Sequence, residues 1–207
     1  MTVLMINGSL HEFGCTHKAI QIVSDALEKE GIQTEELWIG ADSVADCTGC
    51  NSCWKSGRCV IDDRVNHLKK RLQNFDGMII GSPVYYAGPT GSLCSFLNRL
   101  FYSSYREVSG KPGAAVVVCR RGGATAAFDR LNKYFTIMNM PVVSSRYWNQ
   151  IHGFRDPEEI MKDHEGVQTL RILGQNMAYF IRCKEAAKQM QHTEPGLEKK
   201  ILTNFIR

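Results

Sequence analysis

Short, continuous apolar runs alternate along this chain with longer stretches whose apolar residues recur every three or four positions. Val3 to Ile6 reads as a first strand and stops at Asn7-Gly8-Ser9. Residues Thr16 to Glu30 carry Ala19, Ile20, Val23, Ala26 and Leu27 at helical spacing, and Gly31 closes that helix. Ile32 to Ile39 predicts a second strand, and Asp62-Asp63 an N-cap for a helix bearing Val65, Leu68, Leu72 and Phe75. Met78-Ile79-Ile80 is a third strand, ending at Gly81-Ser82-Pro83. A helix over Thr90–Tyr102 then presents Leu93, Phe96, Leu97 and Leu100. Ala114 to Val118 is the fourth strand and Ala124 to Met138 the next helix. A fifth strand is expected from Val142-Val143 to about Trp148, then a long helical pattern from Asp156-Pro157 to Met190. In the tail, Leu197, Ile201, Leu202 and Phe205 keep helical spacing.

Strands that are apolar throughout, separated by helices, imply a parallel sheet covered on both faces. The pattern fits an α/β, doubly wound, five-stranded parallel sheet of order 2-1-3-4-5. With 207 residues, 43% of them apolar, the chain suits one core and one domain over 1–207, its helical extension beginning at about 157. The net charge of +4 is mild and no basic stripe stands out, so a nucleic-acid partner is not expected. The first residues read as a buried strand rather than a signal peptide. No apolar run approaches the roughly 18 residues that would suggest a membrane partner. Eight cysteines without an export signal suit a reducing compartment, and a cytoplasmic protein is expected.

In such sheets ligands bind beyond the carboxyl ends of the strands, which directs attention to three exits. The first, Gly8 to His17, runs into a helix whose N–H groups suit a phosphate, with the Ser9 and Thr16 hydroxyls beside it. It is neither a dinucleotide fingerprint nor a triphosphate loop, which leaves a monophosphate as the better match. Thr16 as a plain cap and Gly14 as a plain turn are the bland alternative. The third strand's exit, Gly81 to Gly91, has two prolines and the rings of Tyr85 and Tyr86 and can wrap a flat heterocycle. Arg120-Arg121-Gly122-Gly123 can set backbone amides and positive charge beside a ring that becomes anionic on reduction.

Cys47, Cys50, Cys53 and Cys59 add separate chemistry, spaced C-x2-C-x2-C-x5-C on a loop. Thiols that close together can turn toward one point, which suits an iron–sulfur cluster or a metal. Three in one run favour iron–sulfur over zinc, whose ribbons split their ligands into two pairs. Free thiols on a loop are the alternative. Cys94, Cys119 and Cys183 fall on apolar patterns and read as buried thiols.

Taken together, these segments resemble the flavodoxin-like NADPH-dependent FMN reductase superfamily, and within it the iron–sulfur flavoproteins. The likeness spans about Met1 to His152. It rests on Asn7-Gly-Ser9 with Gly14-Cys-Thr16, on Cys47 through Cys59 with Asp62-Asp63, on Gly81 through Tyr86, and on Arg121-Gly-Gly123. It implies FMN as cofactor, with Ser9 and Thr16 on the phosphate and Cys15 and His17 at the helix start. Pro83, Val84, Tyr85, Tyr86 and Gly88 would line the isoalloxazine ring, and Arg121, Gly122 and Gly123 its other side. The four cysteines match a compact [4Fe-4S] motif. Leu10-His11 and Cys15 depart from the family's usual loop, which bears more on side-chain than on backbone phosphate contacts. The implied activity is an NAD(P)H oxidoreductase of flavin or quinone reductase type, whose flavin N5 carries the chemistry without a protein catalytic residue. Its acceptor would be a small molecule or a ferredoxin; the alternative is a ferredoxin-linked electron-transfer module without nicotinamide turnover. The apolar tail predicts subunit contact in a homodimer or homotetramer.

Overall fold

The computed structural model describes residues 1–192, 195, 196, 198, 199 and 201–203. Five strands form one parallel sheet, β1 (Thr2–Asn7), β2 (Gln33–Trp38), β3 (Gly77–Pro83), β4 (Gly113–Cys119) and β5 (Gln150–His152), in the order β2-β1-β3-β4-β5. That is the order the sequence pattern predicts. The helices are α1 (Cys15–Lys29), α2 (Ser52–Ser56), α3 (Arg64–Lys69), α4 (Gly91–Ser103), α5 (Tyr105–Val108), α6 (Ala124–Ile137) and α7 (His164–Gln189). Among the described residues no helix is long and apolar enough to cross a membrane.

Alternation along each strand divides the core into two layers. Leu4, Ile6, Met78, Ile80, Ala115 and Val117 face α3, α4 and α6, whereas Val3, Met5, Ile79, Ala114 and Val116 face α1 and α7. Both layers are fully buried, which is why the central strands read as unbroken apolar runs rather than as alternating ones.

Three boundaries differ from the sequence expectation. The fifth strand does not begin at Val142, which makes only an isolated parallel bridge to Gly113. Over the next residues α7 takes the polar groups: Asn176 Nδ2 donates to the Ser144 carbonyl at 2.8 Å, and Ser145 Oγ to the Thr169 carbonyl at 2.6 Å. Pairing resumes where Val117 N–H donates to the Asn149 carbonyl, and β5 follows. The helix expected through Phe75 stops at Lys69 and gives way to a 3-10 turn at Leu72–Asn74, whose first carbonyl accepts from Lys111 Nζ at 2.7 Å. The pattern from Asp156 is likewise split, into a 3-10 turn at Pro157–Lys162 and then α7.

The break falls at Asp163, whose carboxylate caps α7 by accepting from Gly166 N–H at 2.9 Å. The same carboxylate accepts from His152 N–H and pairs with His152 Nδ1 at 3.0 Å, so one side chain joins β5 to α7. Burial pushes this carboxyl up, but the Gly166 and His152 bonds outweigh it and hold its pKa below the ordinary range. A lowered folded pKa stabilises the protein above the unfolded value of about 3.9, and that contribution is lost as pH falls through the folded value. Asp163→Ala is expected to cost about 1–2 kcal/mol at neutral pH. In urea titrations its gap from wild type should narrow below pH about 4; a gap constant with pH would show that Asp163 acts without its charge.

At the C-terminus, Ile201 and Leu202 are exposed and outside regular structure, so the helical spacing does not form a helix there. Leu197 and Phe205 lie outside the described residues. Of the three thiols expected to be buried, Cys119 is buried, Cys94 half-buried and Cys183 exposed on the outer face of α7.

Candidate functional site

The three exits singled out in the sequence meet at the carboxyl edge of the sheet. Gly8 N–H donates to the Gly81 carbonyl at 2.9 Å, and Thr90, the N-cap of α4, donates its hydroxyl to the Gly8 carbonyl at 2.7 Å. The β1 and β3 exits are thus bound together. Val84 N–H donates to the Val118 carbonyl at 2.9 Å and joins the β3 and β4 exits. Gly123, at φ +89°, lies so close to Ala87 that a Cβ there would come within 2.9 Å of the Ala87 Cα.

In the first exit, Ser9 and Thr16 are buried. Ser9 N–H donates to Asn7 Oδ1, and Ser9 Oγ accepts from His11 N–H at 3.1 Å, so this hydroxyl shapes its own loop. Trp38 Nε1–H donates to the Ser9 carbonyl at 2.8 Å. The cap of α1 is Gly14, which has no side chain to take up the first N–H groups of the helix. The Cys15 thiol donates to the Asp156 carbonyl at 3.5 Å and lies against Gly153; burial and then the charge of Glu159 push its pKa up. His17 Nδ1 pairs with Glu36 at 2.9 Å, and Glu36 also accepts from Asn7 Nδ2 at 2.8 Å. With both side chains engaged, what Cys15 and His17 leave for a ligand is their backbone.

The β3 exit carries the most unusual backbone of the site. Tyr85 and Gly88 exchange both N–H···O bonds, at 2.8 and 3.0 Å, across a two-residue turn. Its central residues Tyr86 and Ala87 both have positive φ, +50° and +58°. Glycine or asparagine normally fills such positions, because a side chain in the left-handed region costs roughly 1–2 kcal/mol per residue. Here a tyrosine occupies one, with its ring wholly in solvent. Pro83 and Val84 lie half-buried beneath the turn, while Arg121 and Gly122 are exposed across from it. The guanidinium of Arg120 stacks on Phe154, 5.6 Å from the ring centroid, on the β5 side of the rim.

The cysteine loop forms a second centre. Cys47, Cys50, Cys53 and Cys59 line one hollow together with Asp46, Asn51, Arg99 and Tyr102. Cys53 lies on α2, where burial and then the charges of the other three thiols push its pKa up. Cys50 is exposed, and a hydrogen bond with the Ser52 side chain lowers its pKa. Tyr102 stacks on Trp54 and donates to Asn51 Oδ1 at 2.7 Å. Among the described residues no group of three or more His, Cys, Asp or Glu side chains is placed to hold a single metal ion. The donor set, four thiols lining a shared hollow, is of the type that holds an iron–sulfur group.

Sequence reasoning missed the two buried polar residues that shape this loop. Arg99, on α4, has no exposed side-chain surface and binds Asp63 through both carboxylate oxygens, at 2.6 and 2.8 Å. Burial would push the Asp63 carboxyl up, but the Arg99 and Val65 N–H bonds and the Arg99 charge hold it low. Asn66 brackets Cys59, accepting from its N–H at 3.0 Å and donating to its carbonyl at 2.9 Å. The one signal in the sequence was an arginine beside the apolar stripe of a helix.

The model of the NADPH-dependent FMN reductase family matches residues 1–154. The chain belongs to this family. An iron–sulfur flavoprotein of Methanocaldococcus jannaschii is 29% identical over 191 residues, covering 88% of this chain and 98% of its own. An iron–sulfur flavoprotein of Methanosarcina thermophila is 27% identical over 174 residues, covering 82% and 90%. Among solved structures, the flavoenzyme NAD(P)H:(acceptor) oxidoreductase of Paracoccus denitrificans shares the fold. Its TM-score is 0.66 at 19% identity, with 88% of this chain and 97% of that one covered. The family match spans β1 through β5 and so takes in all three exits and the cysteine loop.

Proposed function

We propose that this family member is an FMN-dependent NAD(P)H oxidoreductase of flavin or quinone reductase type. In this reading Cys47, Cys50, Cys53 and Cys59 would hold an iron–sulfur cluster, which would supply a one-electron carrier next to the flavin. One observation carries the flavin site: the exits of β1, β3 and β4 converge, and a left-handed turn at Tyr86-Ala87 holds an aromatic ring in water above them. Backbone held in sparsely populated conformations concentrates at ligand clamps, where the surrounding structure over-determines it. When bound, FMN supplies a two-electron hydride acceptor able to release electrons singly.

The protein's own contribution is orientation. The uncapped N–H groups of α1 would hold the phosphate, whose negative charge suits the positive end of the helix. Val84, Tyr85 and Gly88 would line one side of the ring, and Gly122 and Gly123 the other, with Arg121 adding positive charge there. Alignment of donor and acceptor is most of what hydride transfer requires of a protein, so no side-chain acid or base is assigned.

The test begins with an anaerobic absorption spectrum of the purified protein and FMN titration of the stripped protein. Flavin bands, tight stoichiometric uptake and steady-state oxidation of NADH or NADPH are expected. Failure to bind FMN ends the proposal. A second reading, a ferredoxin-linked electron-transfer module, is favoured by exposure: Cys47 and Cys50 lie open, beside the exposed side chains of Trp54 and Val60. Flavin binding without nicotinamide oxidation, but with electron exchange with reduced ferredoxin, would select it.

A further inference from the structure

Among the described residues, Arg99 is the largest side chain that is completely buried. A guanidinium has five N–H donors, and burial makes each unmet one costly. All five are met. Nη1 donates to Asp63 at 2.6 Å and to the Ala45 carbonyl at 3.4 Å, and Nη2 to Asp63 at 2.8 Å and the Ile61 carbonyl at 2.8 Å. The fifth, Nε–H, donates to the Cys59 sulfur at 3.3 Å.

Four of those bonds would serve a purely structural clamp, tying both ends of the cysteine loop to α4. The fifth is different. A thiol sulfur is a weak acceptor, so aiming a buried cationic donor at one gains little unless the sulfur carries charge. Cys59 is also the cysteine whose backbone Asn66 holds at both N–H and carbonyl, whereas Cys47 and Cys50 are exposed. One corner of the hollow is therefore built in advance and supplied with a donor.

We propose that Arg99 is a positioning residue for the iron–sulfur centre, presenting Cys59 as a fixed, hydrogen-bonded ligand sulfur and thereby raising the reduction potential of the cluster. This rests on the reading that the four cysteines hold a cluster. Hydrogen bonds to ligand sulfurs favour the reduced, more negative cluster, which forms when the oxidised cluster takes one electron from the titrating reductant. Lysine keeps the charge but lacks the planar fork and cannot meet five acceptors.

The wild-type protein is first loaded anaerobically with ferrous iron and sulfide. If no iron and sulfide stay bound, the underlying reading fails and the inference falls with it. If a cluster forms, protein labelled with ¹⁵N only in its arginine guanidinium groups is reduced with dithionite and studied by pulsed electron paramagnetic resonance. A ¹⁵N coupling to the reduced cluster is expected, and its absence overturns the inference without any variant having to fold. In redox titrations, Arg99→Lys should shift the one-electron equilibrium about tenfold toward the oxidised cluster, about 59 mV lower. Asp63→Asn, which disturbs the same clamp but leaves the guanidinium, should leave the potential unchanged or raise it. Equal falls in both variants, or no change in Arg99→Lys, would reduce Arg99 to a structural clamp.

Discussion

Replacing Gly174 by leucine is expected to destabilise the protein by about 3 kcal/mol, the upper part of the range for overpacked cores. Gly174 sits within α7 where that helix crosses α1. A Cβ there would lie 2.6 Å from Ala26 Cβ and 2.8 Å from the Val23 carbonyl oxygen. The second neighbour is backbone and cannot turn aside, so the helices must separate. Helix propensity works the other way, since glycine is about 1 kcal/mol worse than alanine in a helix interior. Gly174→Ala sets the two effects against each other, and the backbone clash wins, leaving a net loss of about 1–2 kcal/mol. At about 2–4 °C per kcal/mol for a chain of this size, the leucine variant should melt about 6–12 °C lower. An alanine variant as stable as wild type would show that α1 and α7 do not need bare backbone at their crossing. The effect reaches function because α1 carries the uncapped N–H groups of the first exit.

Gly123→Val should lower FMN affinity about ten- to a hundredfold, given strain of roughly 1–3 kcal/mol and 1.4 kcal/mol per tenfold. Two effects combine at this position. Its φ of +89° is disfavoured for any residue with a Cβ, and worst for a branched one. Its Cβ would also press on the Ala87 Cα and on Val84, so relief comes only by moving the β3 and β4 exits apart. Gly91→Ala, at the first position of α4, is the control, because nothing lies within 4 Å of a Cβ there and its φ is not positive. Calorimetric FMN titrations of the two variants check this. Equal affinities would place the bound ring away from these loops.

Much of this was readable along the chain. Unbroken apolar runs at Val3–Ile6 and Ala114–Val118 announce strands buried on both faces, and hence a parallel sheet. Turn residues at each strand exit marked where a ligand would sit, and the cysteine spacing marked a second centre. Less legible were boundaries decided by distant partners. The residues after Val143 are polar and aromatic in a mixture that permits a strand, but α7 claims the Ser144 carbonyl and the Ser145 hydroxyl first. The break at Asp163 inside an otherwise helical pattern depends on His152, eleven positions earlier.

Local periodicity and turn chemistry, which act over a few residues, determined the class of fold, the order of elements and the loops that carry chemistry. Only the folded chain decided that Arg99 and Asp63, thirty-six positions apart, would form a buried pair beside Cys59. Only it decided that Gly123 would close on Ala87, and that Tyr86 would be held in a left-handed turn. Desolvation is the reason: a buried charge or a strained backbone is tolerated only where neighbours from other elements complete it, and those neighbours are brought in by folding.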